Sequence, residues 1–305
     1  MTAGDGKGEK SVNKPKKLRA SKRILFRQHL NRSTWGNIGV FLFLGIFGVF
    51  FAFPIVYSVC TAFKPMNEIL IFPPRIFVRN PSLENFIELG QVATDFWVPL
   101  SRYIFNSAVI SVVATLGHLL LAGMAAYPLA KHPFPGSKFL NQVMVMSLLF
   151  TSSVTYIPQY IVMAKMGLID TPWALILPAL QSSLGVYLMR SFILTIPNAM
   201  LEAARIDGAS EFRIYFQVIF PNVKPAAMTL IIFAFQGIWN NGGGSLIYSE
   251  ELKVLPAILS SVTAGGIARA GVASAASLIL MLPPIILFCF AQRNVIETMS
   301  TSGLK

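Results

Sequence analysis

Six apolar stretches that contain no Asp, Glu, Lys or Arg constrain the fold of this chain more than any other feature. A helix needs about 20 apolar residues to cross the hydrocarbon core of a bilayer, and each stretch approaches or exceeds that length. Helices can cross lipid because they satisfy their own backbone hydrogen bonds. The sequence therefore predicts an all-α, polytopic membrane protein with six transmembrane helices, at residues 38–63, 103–130, 139–164, 171–189, 225–249 and 270–292.

The overall composition agrees with this prediction. Hydrophobic residues make up 54% of the 305 residues and charged residues only 12%, about half the charge that a soluble domain carries. Two further apolar stretches, 191–201 and 254–268, are too short or too rich in Gly and Pro to be first choices as spans. Residues 254–268 could instead enter the membrane as a re-entrant segment, and the sequence leaves that open.

The distribution of charge predicts the orientation. If the N-terminus is cytoplasmic, 18 of the 25 Lys and Arg residues but only 6 of the 13 Asp and Glu residues face the cytoplasm. This is the positive-inside pattern, and it places both termini on the cytoplasmic side. Residues 1–34 form a basic arm with no short apolar core and cleavage site, so we expect the first stretch to be a retained span rather than a signal peptide. Directly before a span, a topological role for the arm is favoured over nucleic-acid binding.

A polar interruption at residues 197–225 separates two of the apolar stretches. Pro197 suits a helix start, and Gly208 suits a left-handed helix stop because glycine adopts positive φ without a Cβ clash. Ser210 can cap a second helix, which Pro221 and Pro225 would end. The segment is thus predicted to be a helix, a break and a second helix. An amphipathic connector on the lipid surface is the alternative, although the charges are mixed in sign rather than mostly basic.

This segment resembles the EAA loop of the permease subunits of binding-protein-dependent ABC importers. The resemblance rests on the family's spacing of seven residues, Glu202, Ala203, Ala204, Asp207, Gly208, Ala209 and Pro221. Residues 80–86, with the sequence NPSLENF, resemble a stretch common in the sugar-importing branch of that family. The loop after residue 242 and the short tail after Gln292 are similar to those of maltose-type permeases. The resemblance covers nearly all of the chain from the first span onward.

The resemblance implies a type I ABC importer permease fold at residues 35–305, in the cytoplasmic membrane of a bacterium. It also implies the partners: a homologous permease, two ABC ATPase subunits and an extracytoplasmic solute-binding protein that delivers a sugar or oligosaccharide. Residues 197–225 would contact the ATPase, with Glu202 making a polar contact, Ala203 and Ala204 packing closely and Gly208 providing the bend. The resemblance does not indicate which sugar is carried or which permease holds it.

Polar and aromatic side chains inside the predicted spans are candidates for a sugar path, since hydroxyls need polar partners and pyranose rings pack on aromatic rings. For each single residue, a role in helix packing or at the membrane interface is an equally strong interpretation. His118 in the second span is predicted to be a buried, hydrogen-bonded histidine rather than a ligand. The path candidates are Ser152, Thr155, Tyr156, Gln159, Gln181, Tyr187, Gln236, Trp239, Asn240 and Asn241.

Several motifs are missing from the sequence. No GxxxxGK[ST] motif occurs, so ATP and Mg²⁺ are expected to be used by separate ATPase subunits. No catalytic constellation or metal-ligand set stands out, and the chain is not expected to be an enzyme or to bind a cofactor. None of the six spans contains Asp, Glu, Lys or Arg, which argues against a stand-alone secondary carrier. That carrier and an ABC permease for a non-sugar solute are the main alternatives, and a scaffold protein without a transport path is disfavoured by the polar residues 151–160.

Overall fold

The computed structural model describes residues 34–95, 97–150 and 152–302, so the basic arm lies outside the described residues except for Thr34. No strand occurs in these ranges, and the all-α prediction is confirmed. The chain divides into two compact units, with the boundary between Phe53 and Pro54. The α-helices are α1 (Thr34–Ala62), α2 (Met66–Ile69), α3 (Glu84–Asp95), α4 (Leu100–Lys131), α5 (Ser137–Ser147), α6 (Ser152–Lys165), α7 (Trp173–Leu180), α8 (Ser183–Leu194), α9 (Asn198–Ile206), α10 (Glu211–Ile214), α11 (Phe220–Asn222), α12 (Lys224–Trp239), α13 (Leu255–Thr263) and α14 (Ala270–Ser302).

Three helices in the described ranges are long and apolar enough to cross a membrane on their own, at Gly36–Ala62, Leu100–Lys131 and Gly266–Gln292. Two bent pairs bring the number to five if each pair is one span. In the first pair, Trp173–Leu194 meets Asn198–Ile206 at 80°, and in the second, Glu211–Asn222 meets Lys224–Trp239 at 82°. The chain is therefore a multi-pass membrane protein. A count of six spans remains a prediction.

The third, fourth and fifth apolar stretches are not continuous helices. Residues 139–164 are divided between α5 and α6, and residues 171–189 are divided between α7 and α8 at Gln181. The fifth stretch, 225–249, is helical only to Trp239. Hydropathy measures the transfer of side chains into lipid and is insensitive to such breaks, which depend on where backbone groups find other partners. At the second break, Ser182 supplies one, because its hydroxyl accepts a 3.0 Å hydrogen bond from the Gly185 N–H.

Helix α4 lies at the centre of the second unit and packs against α7, α8 and α12. One side of α4 carries polar residues that are buried against protein rather than lipid: Asn106, Ser107, Ser111, Thr115 and His118. The prediction for His118 is confirmed, because this residue is 3% exposed and its Nδ1 lies 3.2 Å from the carbonyl oxygen of Ala179. A polar stripe of this kind is stable in a membrane only where neighbouring helices cover it.

The N-terminal end of α4 anchors the segment that leads into α13. The Asn106 amide donates to the carbonyls of Glu251 (2.7 Å) and Lys253 (3.0 Å), and the Tyr103 hydroxyl donates to the Glu250 carboxylate (2.8 Å). Helix α13 then buries Leu255, Ile258 and Val262 and packs on α14 and α4. Residues 254–268 thus contain a short packed helix, and its depth in the membrane remains open.

Residues 80–86 have a structural role at the start of the second unit. The Asn85 side chain is buried, and its amide donates to the carbonyls of Ala62 (2.9 Å) and Lys64 (2.7 Å) just after α1. The Glu68 carboxylate accepts from the backbone N–H of Arg79 at 2.9 Å. These contacts hold the segment between α1 and α4 together and attach it to the end of α1.

Candidate functional site

The polar segment at 197–225 folds as a helix, a break and a second helix, as the sequence predicts. Helix α9 follows Pro197, which takes extended backbone angles, and ends at Ile206, two residues before Gly208 with its φ of +76°. The Ser210 hydroxyl accepts from the Arg213 N–H at 3.4 Å and caps α10. Each feature follows from local chemistry, since glycine adopts positive φ without strain and serine satisfies an unpaired N–H in the first turn of a helix.

The expectation that Pro221 and Pro225 end the second helix was wrong. After α10 the chain makes a π-helical turn at Tyr215–Ile219, and Pro221 then lies in the first turn of α11. Pro225 lies in the first turn of α12. The N–H groups in the first turn of a helix have no partner within the helix. Proline has no N–H, so it loses no hydrogen bond at these positions. Both prolines therefore start helices, and Val223 between them lies where the 82° bend occurs.

One side of the segment is buried and the other is exposed. The side chains of Leu201, Ile214, Tyr215, Ile219 and Val223 are buried in a cluster with residues of α4, α8 and α12. Ala204 and Ala209 are half-buried and pack against this cluster. Many residues of the segment are exposed, and we name six of them the coupling face: Glu202, Ala203, Ile206, Asp207, Gly208 and Phe212. Ile206 is 86% exposed and Phe212 is 67% exposed, although both are large and apolar. Large apolar side chains that are exposed on a polar segment are typical of an interaction surface.

Glu211 connects the segment to the C-terminal end of α4. Its carboxylate accepts a hydrogen bond from the Tyr127 hydroxyl at 2.5 Å and one from the Arg205 Nε at 3.0 Å, and the His132 Nε2 lies 3.4 Å away. Tyr127, His132 and Glu211 border a cavity of about 270 Å³ that is otherwise lined by apolar and aromatic side chains. Two helices of the segment and one long span are thereby joined at a single carboxylate.

Lys131, the last residue of α4, makes a second connection. Its ammonium group donates to the carbonyl of Ile196 at 2.5 Å and to the Asn198 side chain at 3.0 Å. Ile196 follows the end of α8, and Asn198 begins α9. A lysine at this position satisfies carbonyls at a helix C-terminus, where positive charge is also favoured by the helix dipole.

Three of the sugar-path candidates meet at one cavity toward the predicted outer side. Tyr156 and Gln159 from α6 and Asn241 after α12 line a space of about 520 Å³. Its other lining residues come from α7, the end of α12 and the glycine-rich loop that follows. No lining side chain of this cavity carries a charge. The cavity can thus offer hydroxyl and amide groups to a neutral polar solute.

The remaining candidates lie elsewhere in the second unit. Gln181 lines an open groove of about 550 Å³ between α4, α5 and α8. Trp239 is 3% exposed, and its indole N–H donates to the Leu280 carbonyl at 2.8 Å, so it packs α12 on α14. Three further candidates are exposed outside both spaces, namely Tyr187, Gln236 and Asn240. Thr155 is exposed on α6, and Ser152 begins that helix with its side chain outside the described part.

The described residues contain no group of three or more His, Cys, Asp or Glu that could hold a metal ion. Sequence reasoning did not single out Tyr127, Lys131, His132 and Glu211 as contacts of the polar segment. The available signal was that Tyr127, Lys131 and His132 lie next to the predicted end of the second span, while Glu211 belongs to the segment itself. Which of them would face residues 197–225 depended on how α4 and α8 pack.

Comparisons with known proteins agree with these observations. The family model described as "Binding-protein-dependent transport system inner membrane component" matches residues 83–300. The arabinooligosaccharides transport system permease protein AraQ of Halalkalibacterium halodurans is 29% identical over 273 residues, which cover 87% of this chain and 94% of the relative. The sn-glycerol-3-phosphate transport system permease protein UgpE of Brucella abortus is 30% identical over 215 residues, or 70% of this chain and 76% of the relative.

A solved structure is similar over most of the chain. It is a chain of a bacterial ABC transporter involved in the import of the acidic polysaccharide alginate, with a TM-score of 0.71. The sequence identity is 21%, and the match covers 86% of this chain and 98% of that chain. At this identity the likeness supports the fold alone.

Proposed function

Because this chain belongs to the family of binding-protein-dependent transport system inner membrane components, we propose that it is one transmembrane subunit of an ATP-driven importer for a sugar or oligosaccharide. It forms half of the translocation path in a bacterial cytoplasmic membrane. A homologous permease forms the other half, and two ATPase subunits bind and hydrolyse ATP with Mg²⁺. An extracytoplasmic binding protein delivers the solute.

The observation that carries the proposal is the coupling face, which an otherwise well-packed segment leaves exposed. Glu202 and Asp207 offer carboxylates, and Ile206 and Phe212 offer apolar surface, to a partner on the cytoplasmic side. The opposite side of the segment is fixed to α4 by the hydrogen bonds to Glu211 and by Lys131. When the ATPase pair closes on ATP, a push on the coupling face is transmitted to the spans, which rotate as rigid bodies.

The chemistry of the outer cavity supports a neutral sugar as the solute. Hydroxyl and amide groups from Tyr156, Gln159 and Asn241 suit sugar hydroxyls. A phosphorylated solute would favour Arg or Lys in the lining, since phosphate recognition commonly uses these cations. The importer for a non-sugar solute is the second candidate, and the UgpE relative is the observation that favours it. Family membership argues against a stand-alone secondary carrier.

The test is transport and ATP hydrolysis by the assembled importer in proteoliposomes, with neutral oligosaccharides and sn-glycerol 3-phosphate as competing solutes. Glu202→Lys reverses a charge on the coupling face. Gly208→Val places a β-branched residue at positive φ, which costs about 1–2 kcal/mol. We expect both variants to insert and assemble but to lose transport per ATP by roughly 5- to 30-fold, as 1–2 kcal/mol of lost coupling implies.

Two matched controls separate coupling from folding. Gly136→Val imposes the same type of strain at a glycine with φ of +93° in the turn before α5. Glu88→Lys reverses an exposed charge on α3, outside the coupling face. Wild-type coupling in Glu202→Lys and Gly208→Val would show that the coupling face does not contact the ATPase. Transport of sn-glycerol 3-phosphate in preference to sugars would establish the second candidate.

A further inference from the structure

Asp170, between α6 and α7, has a backbone conformation that calls for an explanation. Its φ is +61°, a left-handed value that costs most L-residues energy and that Asp and Asn tolerate better than others. The preceding glycine of the same loop, Gly167, has a similar φ of +68°. A glycine at position 170 would therefore adopt the same backbone conformation without strain. The reason for an aspartate here must lie in the contacts of its carboxylate.

The Asp170 carboxylate binds a second outer loop. Its Oδ1 accepts from the backbone N–H groups of Tyr248 (2.9 Å) and Ser249 (2.8 Å), and its Oδ2 accepts from the Ser249 hydroxyl. The Asp170 N–H donates to the Leu246 carbonyl at 2.8 Å. The Ser249 hydroxyl, followed by the two backbone N–H groups, lowers the pKa of Asp170 below its usual 3.8, so the carboxylate remains ionised as an acceptor at neutral pH.

The loop that Asp170 binds forms the edge of the outer cavity. We name residues 243–249 the rim loop, and three of them line the cavity, namely Gly243, Gly244 and Leu246. On its other side the rim loop is tied to α6. The Tyr156 and Ser245 hydroxyls are 2.6 Å apart, and those of Tyr160 and Tyr248 are 2.9 Å apart.

These two sets of ties differ in strength. The hydroxyl pairs with Tyr156 and Tyr160 are neutral and can exchange for water or for a sugar hydroxyl. The contacts of Asp170 are charge-assisted, and such hydrogen bonds are roughly twice as strong as neutral ones. Asp170 therefore holds the base of the rim loop while the tyrosine side of the loop remains exchangeable.

We propose that Asp170 is a positioning residue for solute entry: its carboxylate holds the rim loop at the edge of the cavity lined by Tyr156, Gln159 and Asn241. The position of the rim loop then sets the mouth through which the delivered solute reaches those side chains. This inference rests on the proposed function, because it takes the cavity to be part of the translocation path.

The experiment compares two variants of Asp170 in the complete importer in proteoliposomes. Asp170→Gly keeps the backbone conformation and removes every carboxylate contact. Asp170→Asn keeps the backbone preference and one acceptor oxygen for the two N–H groups. Initial transport rate is measured against the concentration of solute-loaded binding protein, and hydrogen exchange is measured over residues 243–249.

For Asp170→Gly we expect exchange to increase in the rim loop and the KM for loaded binding protein to rise by at least about tenfold, the effect of losing hydrogen bonds to a charged group. The kcat at saturation should stay within about twofold, because the coupling face is untouched. Asp170→Asn should restore most of the wild-type KM. Gly167→Ala is the control, since it strains the same loop at positive φ without touching the carboxylate.

Three outcomes would overturn the inference. A faster exchange of residues 243–249 with an unchanged KM would show that the rim loop does not set the entrance. An equal rise in KM for Gly167→Ala would show a general effect of the loop rather than of the carboxylate. A wild-type importer that hydrolyses ATP but carries no solute would instead overturn the proposed function itself, and the inference with it.

Discussion

At the scale of single residues, Gly123 and Tyr215 show how closely the polar segment at 197–225 packs on α4. Tyr215 is buried at the start of the π-helical turn after α10, and its hydroxyl lies against the backbone of Gly123. A Cβ added at Gly123 would lie 2.0 Å from this hydroxyl and 3.3 Å from the end of Met189. The Tyr215 hydroxyl is one of three buried side-chain atoms in the described part of the chain that have no hydrogen-bond partner there.

Gly123→Ala should therefore lower stability by about 1–3 kcal/mol, since overpacking forces side chains and backbone to shift. Tyr215→Phe alone should be neutral or stabilising by roughly 1 kcal/mol, because it removes a buried hydroxyl that lacks a partner. The double variant should recover part of the loss. Thermal unfolding of the detergent-purified importer measures all three, with Gly45→Ala in α1 as the control at an open position.

If Gly123→Ala unfolds at the wild-type temperature, the result contradicts the close contact between α4 and the π-helical turn. If Tyr215→Phe is strongly destabilising, the hydroxyl has a partner in the assembled protein.

The residues that carry the family resemblance could be named from the sequence because their spacing is local. The contact between Gly123 and Tyr215 could not, since 92 positions separate the two residues and only helix packing joins them.

At the scale of helices, Lys131 is the point where three elements meet. It ends α4, its ammonium group binds the carbonyl that follows α8, and it contacts the first residue of α9. The sequence shows a lysine in a predicted cytoplasmic turn, which is the commonest place for one in a membrane protein. Its role in fixing α9 to α4 follows only from the packing of α8 beside α4.

Lys131→Met keeps most of the side-chain volume and removes the donors. We expect a loss of stability of about 1–2 kcal/mol, toward the lower end of the range for hydrogen bonds to charged groups because Lys131 is partly exposed. Transport per ATP should fall at the same time, since α9 would no longer move with α4. The measurements are thermal unfolding and the ratio of solute carried to ATP hydrolysed.

Lys138→Met is the matched control, because it removes an exposed lysine from the beginning of the next helix. Equal effects of the two substitutions would mean that the lysine acts through net charge in the turn and not through its contacts with Ile196 and Asn198. A loss of stability with unchanged coupling would limit Lys131 to a structural role.

At the scale of the whole molecule, the number of membrane crossings depends on how the broken helices are arranged. Helices α5 and α6 are separated by residues 148–151, and neither is long enough to span a bilayer alone. The six-span prediction requires that the two together make one crossing. A re-entrant pair would return the chain to the cytoplasmic side and reverse the side on which Asp170 and the rim loop lie.

Cysteine labelling decides between these arrangements. With Cys60 and Cys289 replaced by alanine, Met166→Cys should react with a membrane-impermeant maleimide added outside intact cells, because Met166 is 60% exposed just after α6. Lys138→Cys should react only after permeabilisation. Each variant serves as the control for the other, and labelling of both from the same side would contradict a single crossing by α5 and α6.

The sequence by itself determined the membrane class, the all-α fold, the family and the helix, break and helix of residues 197–225. These properties follow from side-chain transfer energies and from local backbone chemistry at residues such as Gly208 and Ser210, which act over a few positions. The tertiary structure decided which polar residues share a surface. It brought Tyr156, Gln159 and Asn241 to one cavity, buried Trp239 against α14, and joined Glu211 to Tyr127 and Asp170 to the rim loop. Such contacts join residues far apart in the chain, and only the way in which the helices break and pack determines them.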